Sequence, residues 1–174
     1  VGAPPPGPRG PAEAGELVAM LAGRHAVVER VRPLLEPLCR DTFTCGRVPD
    51  ALRTKLAVNL FLITMVTGLV EAVHLARRSD LDLEVFRAIL DAGPMASRVS
   101  RGKLDKLIRG DFAVQASIRD VAKNSRLVED TARQAGAAAP LISVCSRLYE
   151  AAEWQGAGDL DMAAFIHALN HRAA

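Results

Sequence analysis

One long apolar segment limits the possible folds of this chain more than any other feature. It runs from Leu56 to Leu75 and has nearly the length of a bilayer span. A single transmembrane helix would have to bury Asn59, Glu71 and His74 in lipid, which costs several kcal/mol. The segment therefore predicts a long central helix that other helices bury on most sides, and we expect no membrane partner.

The composition is that of a globular protein with an aliphatic core. Hydrophobic residues make up 49% of the chain, charged residues 24% and aromatic residues 4%, a balance that favours helices. The formal net charge is +2, and the sequence shows neither a dense basic stripe nor aromatic residues interleaved with one. We therefore expect no nucleic-acid partner.

The cysteines and histidines do not form a metal-site pattern. Cys39, Cys45 and Cys145 are widely scattered and lack the paired spacing of a zinc site or a disulfide framework. His167 and His171 lie one helical turn apart, but no glutamate stands between them as in the HExxH motif. The sequence predicts no bound metal, and reduced thiols as is usual in the cytoplasm.

The beginning of the chain carries no export signal. It starts with Val1 and lacks a charged region followed by a short apolar one. We expect a cytoplasmic location and a sequence that begins within a larger protein.

The first part of the chain predicts a small α/β piece. Residues 1–14 are rich in proline and predict a loop. The elements predicted after it are a strand over 15–22, a helix over 25–40 and a strand over 41–45. Pro33 and Pro37 are expected to kink this helix or end it early. The order strand, helix, strand assigns residues 1–46 to the distal end of a dinucleotide-binding, Rossmann-type domain.

The remainder, residues 47–174, predicts an all-helical domain, so the fold class is mainly α. The predicted helices cover 49–79, 82–92, 95–108, 114–135 and 140–155, and a last helix begins at Asp161. The residues expected to face inward on the fifth of these are Leu141, Val144, Leu148 and Ala151. The charges from Arg98 to Lys106 predict a solvated face, with phosphate or carboxylate binding in a closed cleft as the alternative.

Two polar residues stand at the start of the apolar segment. Lys55 and Asn59 are four residues apart, so they share one face of a helix and could reach one small molecule. Such a pair also occurs by chance in many helices. In the alternative interpretation the Lys55 ammonium extends to water and Asn59 bonds to a neighbouring backbone group.

Four stretches resemble the C-terminal half of the β-hydroxyacid dehydrogenase family, which includes 3-hydroxyisobutyrate dehydrogenase, tartronate semialdehyde reductase and 6-phosphogluconate dehydrogenase. They are GAPPPGPRGPAEAGELVAMLAG, GRVPDALRTKLAVNLF, GDFAVQASIRDVAKNSRLV and GAGDLDMAAFIHAL. They occur in the family's order and cover nearly the whole chain. The resemblance implies an oxidoreductase that uses NAD or NADP and transfers hydride between the nicotinamide and a small 3-hydroxy acid.

The same resemblance implies roles for five residues. Lys55 corresponds to the catalytic lysine, and Asn59 and Gly7 correspond to substrate-binding positions. Arg119 and Asp120 stand where the family has a Lys-Asp pair that contacts the cofactor. A lysine in an apolar, partly closed site loses hydration of its charge and becomes usable as a base near neutral pH. The family also implies a homodimer or homotetramer formed through the helical domain.

The chain departs from the family pattern at several positions. Pro6 replaces a serine that commonly grips the substrate carboxylate, and proline offers neither a hydroxyl nor an N–H group. Pro49 and Ala51 stand where glycine is usual, and Val58 where a second asparagine is common.

The chain also lacks the glycine-rich cofactor-binding motif. No Gly-x-Gly-x-x-Gly follows a predicted strand, so we expect these residues to lack the cofactor-binding half and to be inactive alone. The alternative is a non-catalytic helical domain for interaction or dimerisation that retains the dehydrogenase fold. The proline-rich start favours it, and the presence of Lys55 and Asn59 opposes it.

Overall fold

A computed structural model describes residues 16–170 of the chain. The loop predicted over 1–14 lies outside the described residues. The chain divides into two compact units, Val1–Asn59 and Leu60–Ala174. This division falls within the longest helix, whereas the sequence predicts a domain boundary between residues 46 and 47, which stays a prediction.

The first unit contains the predicted strand, helix and strand. They are β1 at Leu17–Leu21, α1 at His25–Leu35 and β2 at Cys39–Thr44. The two strands pair in parallel, with Met20 opposite Phe43. Arg32 fastens α1 to β2, because its guanidinium donates to the Thr42 carbonyl at 3.1 Å and to the Thr44 hydroxyl at 2.9 Å. Helix α1 ends before Pro37, as expected for a residue that cannot continue a helix.

Six further α-helices follow and confirm a mainly α fold. They are α2 at Asp50–Arg78, α3 at Leu83–Ala92, α4 at Arg98–Arg109, α5 at Ile118–Gln134, α6 at Pro140–Ala152 and α7 at Ile166–Asn170. A π-helical turn, Glu153–Ala157, extends α6, and a 3₁₀ turn, Met162–Phe165, leads into α7. Helix ends coincide with capping residues. The Asp82 carboxylate accepts from two backbone N–H groups of α3, and Gly110 ends α4 in the left-handed conformation.

Helix α2 is the predicted long apolar helix, but it is less enclosed than its sequence suggested. Its most apolar 18-residue stretch is 39% buried, and by length and composition the helix could span a membrane. Its buried side includes Ile63, Val66, Val70 and Val73. Phe61 and Leu75 remain 67% and 66% exposed. One broad face of α2 therefore packs in the core, and the opposite face is open.

Helix α6 buries a different face from the one predicted. Leu141 and Val144 are exposed and only Leu148, of the three leucine and valine positions, is buried. The residues that α6 buries are Ile142, Cys145, Ser146, Leu148, Tyr149 and Ala152. Three of them, Cys145, Ser146 and Tyr149, are polar or weakly polar, and the Tyr149 hydroxyl lies 3.4 Å from the Thr67 hydroxyl on α2. The prediction failed because it ranked residues by hydrophobicity, whereas this interface buries hydrogen-bonding side chains.

Helix α5 begins at Ile118, four residues later than the predicted start at residue 114. The preceding residues pair instead with the segment before the 3₁₀ turn. The Asp161 N–H donates to the Phe112 carbonyl, and the Met162 N–H donates to the Ala116 carbonyl. The first two N–H groups of α5 donate to the carbonyls of Leu160 and Gly158, at 2.9 and 3.0 Å. Backbone pairing therefore fixes the start of α5.

The Asp161 carboxylate lies at the centre of this pairing and is fully buried. It accepts five hydrogen bonds, with Lys103 Nζ at 2.7 and 2.8 Å and the N–H groups of Gln115, Ala116 and Ala163 at 2.9, 3.2 and 3.1 Å. Asp161 also caps the 3₁₀ turn, which agrees with the predicted start of the last helical segment. One side chain thus joins α4, the residues before α5 and the segment before α7.

The ion pair shifts the pKa of both partners. Burial alone would raise the pKa of Asp161, but hydrogen bonds from Lys103, Gln115 and Ala163 and the Lys103 charge together lower it. Burial lowers the pKa of Lys103, and the hydrogen bond and charge of Asp161 offset this only in part. The carboxylate is therefore held ionised by its partners.

The solvated face predicted from Arg98 to Lys106 is wrong at two positions. Lys103 and Lys106 are 6% and 8% exposed. The Lys106 ammonium donates to the Ala113 carbonyl at 2.6 Å, next to the residues that Lys103 holds through Asp161. The aliphatic parts of both lysine side chains are buried. Lys106 binds the loop before α5 directly, and Lys103 binds it through Asp161.

Because the pKa of Asp161 is lowered in the fold, we expect the free energy of unfolding to fall in acid. This pKa lies below the ordinary value of 3.8, so the ionised form stabilises the fold above that value, and this contribution is lost as the pH falls through the lower folded pKa. We expect the difference in free energy of unfolding between wild type and Asp161→Asn, measured by urea denaturation, to stay constant from about pH 7 to about pH 5 and to shrink as the pH falls further to about pH 3.

The control for this measurement is Asp130→Asn. Asp130 forms an exposed ion pair with Arg133, which contributes at most about 1 kcal/mol. This variant should follow the wild type at every pH. A difference for Asp161→Asn that stays constant down to about pH 3 would contradict the account.

The two neighbours Leu141 and Ile142 test the observed face of α6. Ile142 is fully buried and Leu141 is 67% exposed. Ile142→Ala should lower the free energy of unfolding by about 2–5 kcal/mol because it leaves a cavity. Leu141→Ala should change it by no more than about 0.5 kcal/mol, and urea denaturation followed by circular dichroism measures both. Equal losses would contradict the observed packing.

Candidate functional site

Lys55 and Asn59 lie in the first unit, in the opening turns of α2. Their spacing of four residues places them on the same side of the helix, and both side chains are half-buried. Ala51 and Leu56 beside them are buried. The amine and the amide therefore stand at the margin of an apolar surface and are not sealed inside it.

This arrangement suits recognition of a small polar molecule. An ammonium group donates hydrogen bonds and can exchange a proton, whereas a side-chain amide both donates and accepts without adding charge. Partial burial strengthens both kinds of interaction, because less water competes for the same groups. The pair could hold a hydroxyl or carboxyl group and move a proton at it.

Arg119 and Asp120 lie in the second unit, in the first turn of α5. The Arg119 guanidinium bridges two carboxylates, with Nε 3.2 Å from Glu153 and Nη1 2.8 Å from Asp159. Gly158 makes room for it, because a Cβ atom there would lie 3.2 Å from Nη2. The guanidinium is thus held in one place while remaining 60% exposed.

Asp120 is engaged with the cap of its own helix. Its carboxylate accepts from the Ser117 hydroxyl at 2.7 Å, and its N–H donates to the same hydroxyl oxygen at 3.1 Å. Together with the carbonyls that receive the N–H groups of Ile118 and Arg119, this satisfies the donors of the first turn. The start of α5 therefore presents side chains to a ligand and no open row of backbone donors.

The charge around Arg119 is negative on balance. Three carboxylates, Asp120, Glu153 and Asp159, lie in contact with Arg119 or beside it in the chain. An anionic phosphate is repelled by such a set, whereas a neutral acceptor is not. The Arg119 side chain remains 60% exposed, so its guanidinium can still donate to such an acceptor.

The predicted site residues thus fall into two pairs, one in each unit. Gly7 lies outside the described residues. Sequence reasoning missed Glu153, Gly158 and Asp159, because only the tertiary pairing of α5 with the end of α6 brings them to Arg119. No spacing rule links Asp159 to a residue forty positions earlier in the chain.

Two other features of the described residues lie apart from both pairs. A surface cavity of about 450 Å³ lies between the end of α5 and the start of α6, and none of the predicted site residues lines it. His167 packs edge to face against Phe112, with ring centroids 4.9 Å apart. Between residues 16 and 170, no group of three or more histidine, cysteine or acidic side chains could hold a metal ion.

Comparison with known proteins matches most of the chain to one family. Residues 50–169 match the family model described as the NAD-binding part of NADP-dependent 3-hydroxyisobutyrate dehydrogenase. Glyoxylate/succinic semialdehyde reductase 1 from Arabidopsis thaliana is 28% identical over 95% of this chain and 57% of its own length. The cytokine-like nuclear factor N-PAC from Aedes aegypti is 25% identical over 91% of this chain and 28% of its own.

A solved structure agrees with this match. The crystal structure of 3-hydroxyisobutyrate dehydrogenase from Salmonella typhimurium superposes with a TM-score of 0.86 at 25% identity, covering 95% of this chain and 58% of that protein. The present chain therefore spans little more than half the length of these dehydrogenase and reductase relatives. It belongs to the 3-hydroxyisobutyrate dehydrogenase family and corresponds to the part that carries the family's NAD-binding model.

Proposed function

We propose that this chain is the helical part of an NAD(P)-dependent oxidoreductase that transfers hydride between nicotinamide and a small 3-hydroxy acid. The observation that carries the proposal is the half-buried pair of Lys55 and Asn59 on one side of α2, within the segment that matches the family. The chain is expected to be inactive until joined to a half that binds the rest of the cofactor. We expect the complete protein to act in the cytoplasm.

Lys55 is the proposed proton-transfer residue. During oxidation, the substrate hydroxyl loses its proton to the Lys55 amine while the carbon bearing that hydroxyl loses hydride. During reduction both transfers run in reverse. A bound nicotinamide cofactor supplies the hydride acceptor or donor. Asn59 and Gly7 orient the substrate by hydrogen bonds, which places its hydroxyl against Lys55.

Arg119 and Asp120 are the proposed cofactor contacts of the second unit. The surrounding carboxylates and the closed start of α5 argue against a phosphate contact at Arg119. A neutral acceptor, such as a carboxamide oxygen or a ribose hydroxyl, fits the exposed guanidinium better. Asp120 shapes this contact by holding the N-terminal cap of α5.

A second candidate is a non-catalytic interaction domain that retains the fold. Two observations favour it: Pro6 stands in place of the family's serine, and two carboxylates already occupy Arg119. The likeness to a protein named as a nuclear factor is consistent with it. Retention of both Lys55 and Asn59 favours the enzyme.

Substitution of Lys55 separates the two candidates. In the full-length protein with NAD(P)H or NAD(P)+ and a panel of 3-hydroxy acids, Lys55→Ala should lower kcat by about 10²–10⁴-fold, because a positioned proton-transfer group contributes that much. Arg53→Ala is the matched control, since it removes an exposed cation from the same helix. It should leave kcat unchanged.

One result would contradict the enzyme proposal, and another would contradict the role of Lys55. Wild-type protein that binds the cofactor yet turns over no hydroxy acid favours the interaction domain. Near-normal turnover by Lys55→Ala would show that another group moves the proton. Circular dichroism should establish that each variant remains folded.

We also propose that the helical unit associates with a second copy of itself. Helix α3 has an apolar side but buries no residue. Val85 and Ile89 lie one turn apart on it and are 54% and 69% exposed, and Leu81, just before its N-cap, is 56% exposed. A two-fold axis sets such a stripe against its own copy, so that apolar side chains meet apolar side chains. The exposed Leu75 on α2 belongs to the same unit.

Charge in this stripe should weaken the association. Ile89→Glu places a carboxylate where we expect a dry interface, so light scattering should report a smaller assembly than for wild type. Leu141→Glu is the control, because Leu141 is as exposed but lies on α6. A wild-type monomer at micromolar concentration, or equal effects of the two variants, would contradict the proposed interface.

A further inference from the structure

We infer that the Lys103–Asp161 ion pair positions the first turn of α5, and with it the Arg119 side chain, for the ligand that this turn contacts. Neither residue is expected to touch the ligand. The inference rests on the proposed role of Arg119 as a cofactor contact, and it adds two positioning residues to that role.

The first turn of α5 is held by backbone hydrogen bonds to the segment before Asp161. The N–H groups of Ile118 and Arg119 donate to Leu160 and Gly158, so the segment just before Asp161 fixes the height and direction of the first turn. If that segment shifts, the turn shifts with it. Arg119 then loses its ion pair with Asp159, which belongs to the same segment.

Asp161 in turn fixes this segment against the loop before α5. Asp161 is fully buried and binds the N–H groups of Gln115 and Ala116, which precede α5 directly. The two segments that hold the first turn, residues 115–116 and residues 158–161, therefore meet at the Asp161 carboxylate. Lys103 compensates its charge through both carboxylate oxygens. Without that charge, the carboxylate would be buried at a large cost in hydration.

A second buried lysine, Lys106, also binds the loop before α5. The Lys106 ammonium donates to the Ala113 carbonyl in this loop, two residues before Gln115 and therefore further from α5. Lys103 itself also reaches this part of the loop, because its Nζ atom lies 3.4 Å from the Gln115 Oε1 atom. The alignment of Arg119 therefore depends on Asp161 and its partner Lys103, together with the backbone hydrogen bond from Met162 to Ala116.

Amide hydrogen exchange in the full-length protein tests this directly. Asp161→Asn retains the shape of the side chain but removes its charge and one acceptor. We expect the amides of Ile118 and Arg119 to exchange about ten-fold faster in this variant, while those of α6 between Ile142 and Tyr149 remain unchanged. Tyr149→Phe is the matched control, since it alters a buried polar contact in the same unit. It should leave the Ile118 and Arg119 amides unchanged.

A double-mutant cycle on cofactor binding supplies a readout that a general loss of stability would not move. Asp161→Asn and Arg119→Ala should each weaken NAD(P)H binding. The double variant should bind no more weakly than Arg119→Ala alone, because both changes act through one contact. Lys103→Met should resemble Asp161→Asn in both measurements.

Each outcome decides between the inference and the proposed function. Faster exchange at Ile118 and Arg119 with unchanged cofactor binding supports positioning and refutes the cofactor role of Arg119. Unchanged exchange at these two amides overturns the inference. If the variants do not fold, the wild type still decides, because unprotected amides at Gln115 and Ala116 would overturn it as well.

Discussion

The helical unit is organised around one buried carboxylate. Asp161 receives two hydrogen bonds from Lys103 and three from backbone N–H groups, and no water is needed to satisfy it. A carboxylate of this kind stabilises a fold only while all its partners stay in place. It therefore forces α4, the loop before α5 and the segment before α7 into one arrangement. The start of α5, with Arg119, inherits that arrangement.

One departure from the family pattern, the arginine at position 119, is explained by its contacts. An arginine stands at position 119, where the family resemblance implies a lysine, and its surroundings hold it: Glu153 and Asp159 bind the guanidinium, and Gly158 leaves space for it. Arginine is suited to such a fork of two carboxylates, whereas a lysine ammonium is a single point charge. The substitution is thus accommodated by its surroundings and does not leave a defect in the fold.

Local signals predicted the elements well and the contacts between them poorly. Asp82, Gly110 and Pro140 mark helix ends by chemistry that acts within one turn, so their helices were predictable. The delayed start of α5 depends on Asp161, more than forty residues later, and no local pattern encodes it. The two buried lysines of α4 were assigned to a solvated face for the same reason, because their acceptors come from a loop that must first fold over them. At the candidate site, spacing alone placed Lys55 and Asn59 on one side of α2, whereas the partners of Arg119 required the tertiary structure.

We propose that Lys55 and Asn59 face the reacting end of a hydroxy acid. A crystal structure of the full-length protein with NAD(P) and a bound 3-hydroxy acid measures this most directly. The account predicts the Lys55 Nζ atom at about 3 Å from the substrate hydroxyl, with the Asn59 amide bonded to the same molecule. A substrate bound with neither side chain within hydrogen-bonding distance would contradict it.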